Sequence, residues 1–123
     1  MTTAKLKRLI GSLSFGVLSA CGPAGDWRAD AIADAEQQIR VTVSDPSAKF
    51  SDVQVTGNNS TGQTCGRVSA KLNTGGNQEG RFIVYIDGSV SPYVENGMGG
   101  HAMSHEAFEF AWQNDCVKEG YRD

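Results

Sequence analysis

Apolar residues follow three successive spacings along this chain. From Asp26 to about Val43, Trp27, Ala31, Ala35 and Ile39 recur at every fourth position, with Ile32 beside them and charges opposite. That period predicts an amphipathic helix. Asp26 is placed to cap it, while Asp30, Asp34 and Glu36 suit the positive end of its dipole. Asp45-Pro46 predicts the stop, because proline donates no hydrogen bond and the residue before it disfavours helical backbone.

A period of two takes over next. Val53 and Val55 alternate with polar residues, and the run Gly57 to Gly62 predicts a turn. Val68, Ala70 and Leu72 alternate with Arg67, Ser69 and Lys71, the pattern of a half-buried strand. Cys65 has the opposite parity to Val68, which a bulge at Gly66 would reconcile. Thr74 to Gly80 reads as a flexible hairpin loop, and the apolar run Phe82 to Ile86 as a central strand. Asp87-Gly88 predicts a hairpin turn into a strand from Ser89 to Val94, which Pro92 confines to an edge.

The third stretch is helical again. Gly97-Met98-Gly99-Gly100 reads as a mobile hinge before a helix from Ser104 to about Glu119, started by Glu106 and stopped by Gly120. Phe108, Trp112 and Cys116 share its buried stripe, where a strand-borne Cys65 can meet Cys116. The expected fold is α+β: a helix, an antiparallel meander of three to four strands and a C-terminal helix, with one disulfide. Both helices are expected on one face of the sheet.

The start of the chain reads as an address. Lys5, Lys7 and Arg8 precede a mostly apolar run from Leu9 to Ala20, as in a secretory signal. Leu18-Ser19-Ala20-Cys21 resembles the bacterial lipoprotein signal of an aliphatic residue, two small residues and a cysteine. The resemblance implies that cleavage after Ala20 leaves Cys21 N-terminal and acylated, and so anchored in a lipid bilayer. Two or three acyl chains hold stably where one holds only marginally. The expected organisation is a signal over 1–20, a lipidated tether over 21–25 and one domain over 26–123. Gly22 to Gly25 span at most ~14 Å, so the domain stays close to the lipid. Trp27 is expected to anchor in the core, with a place in the lipid interface as the alternative. Gly22, standing where an aspartate resembles an inner-membrane retention signal, favours the periplasmic face of the outer membrane.

Composition narrows the function classes. The 123 residues are 39% apolar and 20% charged, as in an ordinary globular protein. The net charge is −3, and removing the three basic residues of the acid-free first eight positions leaves −6. Such a balance repels phosphate backbones, so no nucleic-acid partner is expected. With Cys21 assigned to lipid, Cys65 and Cys116 pair naturally in an oxidising compartment.

Candidate chemistry is thin. His101, His105 and Glu109 stand one helical turn apart and are weak candidates for metal ligands, with Glu106 beside them. His105-Glu106-Ala107-Phe108-Glu109 departs from a zinc-protease motif, because Glu109 replaces its second histidine. No nucleophile motif occurs. No cofactor and no enzymatic activity are expected.

Asp45-Pro46-Ser47-Ala48-Lys49-Phe50, Cys65-Gly66-Arg67-Val68-Ser69-Ala70-Lys71, Gly75-Gly76 and Gly80-Arg81-Phe82-Ile83 resemble a group of small exported bacterial proteins. The chain departs from that pattern at Arg67, where an acid is expected. The resemblance implies an exported single domain and carries over no catalytic residue. The expected function is therefore a membrane-anchored envelope lipoprotein that binds another envelope protein or supports a surface assembly. Loops 57–63 and 74–80 and the aromatics Tyr85 and Tyr93 are the expected contacts. An inhibitor of a periplasmic or host hydrolase, and metal capture through His101 and His105, are the alternatives.

Overall fold

The computed structural model describes residues 26–73, 75–98 and 103–123; the expected signal, Cys21 and His101 lie outside them. Helix α1 runs Trp27–Thr42, with Asp26 at the cap position but making no side-chain capping bond. It stops because Ser44 turns left-handed (φ 58°). Asp45 then fixes the exit. Its carboxylate accepts the Ser47 N–H (2.9 Å), the Ser47 hydroxyl (2.7 Å) and the Lys71 N–H (2.7 Å). Those donors hold the Asp45 carboxyl below its ordinary range, the Lys71 backbone bond contributing most. Trp27 is only half-buried, with the Arg28 guanidinium 4.5 Å above its ring, so it does not anchor the core.

Strands β1 (Lys49–Thr56), β2 (Gln63–Lys71), β3 (Asn77–Tyr85) and β4 (Tyr93–Val94) form an antiparallel sheet in sequence order. The bulge expected at Gly66 lies instead on the neighbouring strand. The β1–β2 register shifts between Ser51 and Gln54, leaving Asp52 and Val53 opposite Gly66, with Asp52 at φ 53°. Gly66 permits this close approach: a Cβ there would come within 3.0 Å of the Phe82 ring and the Val53 Cα.

With β2 unbroken, Cys65 and Val68 point to opposite faces, and both faces are covered. Ala35 and Ile39 of α1 pack with Val68, Ala70, Phe82, Val84, Val94 and Met98 on one face. Cys65 and Ile83 pack with Phe108, Ala111, Trp112, Cys116 and Tyr121 on the other. The two helices therefore sandwich the sheet; they do not share a face. The parity conflict at Cys65 was itself the mark of a sheet buried on two sides.

Three other expectations are adjusted. The hairpin after β2 is short, closed by Leu72 N–H to Gly76 O (2.7 Å), and Asn77 to Gly80 belong to β3. The last strand contracts to Tyr93–Val94, since Pro92 cannot donate to a ladder. Met98, expected in a hinge, is a core residue only 4% exposed.

Ser104 caps α2 (His105–Ala111) by accepting the Ala107 N–H at 3.0 Å. The helix then widens into π-helical turns over Trp112–Val117. Lys118 N–H reaches Gln113 O at 3.0 Å, and Tyr121 N–H reaches Cys116 O at 2.8 Å. That five-residue step brings the Tyr121 ring edge-on to Trp112, 4.7 Å between centroids. The widening thus serves packing.

Thr64 is 1% exposed, and its hydroxyl has no hydrogen-bond partner among the described residues. Thr64→Val keeps the shape and removes an unpaired polar atom. It should raise stability by about 1 kcal/mol, read as a higher urea midpoint; a lower midpoint would mean that the hydroxyl is satisfied.

Candidate functional site

Cys65 on β2 and Cys116 on the π-helical turns are bonded, with S–S 2.09 Å and Cα atoms 6.1 Å apart. Both are fully buried. Thr56 Oγ1 lies 3.8 Å from the Cys65 sulfur and donates to Asp115 O at 3.2 Å. Gln63 Nε2 donates to that same hydroxyl at 2.6 Å, which seals the disulfide from solvent. A sulfur pair so enclosed staples structure and offers no surface for thiol exchange. Replacing both cysteines by alanine should cost roughly 4 kcal/mol in the chain-entropy model, measured by urea unfolding. Alkylation of unreduced protein should label neither position.

The densest polar cluster centres on Arg81 of β3. Its Nε and Nη2 grip Glu95 at 3.0 and 2.6 Å, its backbone N–H also reaches Glu95 at 2.9 Å, and Nη2 reaches Glu109 of α2 at 2.8 Å. Its guanidinium sits 5.2 Å from the Phe108 ring and 5.0 Å from the Trp112 ring. The Glu95 hydrogen bonds raise the Arg81 pKa, and Arg81 in turn holds Glu95 and Glu109 below the ordinary carboxylate range. Arg67 stands directly across the ladder from Arg81, where like charges repel. Each has its own acids: Asp123 at 2.6 Å and Asp52 at 3.8 Å for Arg67.

Next to Glu95, Asn96 donates from its side chain to Glu79 O at 2.9 Å, and its own carbonyl accepts from Gln78 at 3.3 Å. Glu95 and Asn96 thus occupy backbone and side-chain groups of β3 along the margin that the two-residue β4 leaves uncovered.

Glu109 is held between Arg81 and Gln113 (2.8 Å), so it is not free to join His105 around a cation. His105 is exposed at the first position of α2. No group of three metal-ligating side chains occurs among the described residues. Tyr85 and Tyr93, expected as exposed contacts, are half-buried and packed edge-on at 5.4 Å. Tyr85 donates to Asp115 at 2.5 Å, and burial first, then that bond, pushes its hydroxyl well above the ordinary tyrosine range.

The turn at 57–62 is closed by its own hydrogen bonds. Asn58 Oδ1 accepts the Ser60 and Thr61 N–H groups, both at 2.8 Å, and Gly62 passes so close to Thr56 O and Asn58 O that a Cβ would fall 2.4 Å from each. Gln63, expected at the end of this loop, is a buried strand residue. Sequence reasoning missed Arg81, Glu95 and Asp115. Only the position of Arg81, on the parity of apolar Ile83, could have flagged it.

Comparison with protein-family models, characterised proteins and solved structures yields no match. Among the described residues, no helix is long and apolar enough to cross a membrane.

Because Asp45, Glu95 and Glu109 ionise more readily folded than unfolded, their stabilisation is complete above about pH 4–5 and is lost as pH falls through their depressed pKa values. The urea midpoint should drop between about pH 5 and pH 3. Glu95→Gln should lower the midpoint at neutral pH and flatten that drop; an unchanged slope would remove Glu95 from the account.

Proposed function

We propose that this protein is a lipid-anchored binding module of a bacterial cell envelope, acylated on Cys21 and held at the periplasmic face of the outer membrane. The observation that carries this reading is the bond between Cys65 and Cys116. It consumes two of the three cysteines and leaves Cys21, in its lipoprotein-like setting, as the remaining one. A buried disulfide also suits an oxidising compartment.

The binding role is argued from how the polar side chains are used. Arg81 bonds Glu95 and Glu109, Tyr85 bonds Asp115, and the Glu109 and Asp115 bonds hold the C-terminal helix to the sheet. The turn at 57–62, closed by hydrogen bonds to Asn58 Oδ1, would supply a preorganised contact for a protein partner, with less conformational freedom to lose when it docks.

Cells grown with an alkyne analogue of palmitate should yield labelled protein in the membrane fraction. Cys21→Ala should lose both label and membrane association; unlabelled wild-type protein, or a membrane-bound Cys21→Ala variant, would overturn the anchor. A photoreactive residue at Asn59 should capture one reproducible envelope protein, and the absence of any adduct would overturn the binding role.

A further inference from the structure

The C-terminal helix carries two apolar residues on its otherwise polar outer side. Phe108, Ala111, Trp112 and Cys116 face the sheet and are buried, yet Phe110 is 72% exposed and Val117 40% exposed. A solvated helix normally keeps its outer face polar, so Phe110 marks a surface with another purpose.

The residues around it form an ordered line. Asn114 Nδ2 donates to Phe110 O at 2.8 Å, and Lys118 Nζ lies 3.4 Å from Asn114 Oδ1, so Phe110, Asn114 and Lys118 follow one another along one side. Glu106 is one turn before Phe110 and is also exposed. The line reads acid, aromatic, amide, base at intervals of four, and its midpoint falls at Trp112.

A line of this order complements its own reverse. Two such helices laid antiparallel about a two-fold axis set Glu106 of each against Lys118 of the other, and Phe110 of each against the stem of Asn114 of the other. We infer that this face pairs two copies of the chain through antiparallel contact of their C-terminal helices. Such a contact is isologous and closes at two. One helix face is smaller than a standard stable interface, so the dimer is weak and forms with rising concentration. Its two ion pairs make it salt-sensitive. The pairing does not depend on the lipid anchor.

A zero-length carbodiimide tests the register directly. It activates a carboxylate, which the Lys118 amine then attacks to form an amide, the carboxylate oxygen leaving with the reagent as its urea. Within one helix Glu106 and Lys118 are more than roughly 15 Å apart, so a Glu106–Lys118 amide joins two copies. Treating the full chain in detergent micelles should give a dimer band whose digest contains that linked peptide. Phe110→Ser, a surface change that leaves the circular dichroism intact, should cut the yield at least about fivefold. In sedimentation equilibrium, Glu106→Lys should weaken the dimer by a similar factor, because it sets lysine against lysine, and the double variant Glu106→Lys/Lys118→Glu should restore it. Monomeric protein at low salt with no linked peptide would overturn the inference. So would a dimer indifferent to Phe110→Ser, or a double variant that fails to recover.

Discussion

The Cys65–Cys116 bond is the constraint on which the rest of the molecule depends. It ties the C-terminal helix to the middle of β2, and so commits a second sheet face to burial. Without that helix the odd-numbered positions of β2 and β3 would face water, and Ile83 would stand exposed beside Arg81 and Tyr85. With it, Arg81 gains Glu109 and the rings of Phe108 and Trp112, and Tyr85 gains Asp115. The polar cluster and the aromatic core of this face are therefore one assembly, closed by a single covalent link.

Much of this was legible in the sequence, for definite reasons. The period of α1, the stripe of Phe108, Trp112 and Cys116, the meander and the disulfide all follow from spacing that packing then obeys. Layering was less legible. Cys65 and Val68 sit on opposite parities, and one-sided burial forced a bulge where the strand in fact runs straight. The kink moved to Asp52 and Val53 because Gly66 leaves room for Phe82 and the neighbouring backbone. No property of Asp52 alone announces that.

The polar sites were the least legible part. Glu109 reads locally as a helix-surface acid or a weak metal ligand, and its partner Arg81 is 28 residues away. Asp115 likewise acquires Tyr85 only through the sheet register. Tyrosines that look like contact residues in a strand become half-buried once a helix arrives over them. Long-range pairing decided each case, and spacing within one element cannot report it.

The margin of β3 beyond the two-residue β4 has a consequence of its own. Glu95 accepts the Arg81 N–H there and Asn96 donates to the Glu79 carbonyl, so side chains occupy places where a fifth strand would bond. An open sheet margin invites any extended chain nearby to add itself. Filled from within, this margin has its Arg81 N–H and Glu79 carbonyl already bonded and offers neither to an incoming strand. On this side a two-residue strand, backed by two side chains, is sufficient to end the sheet.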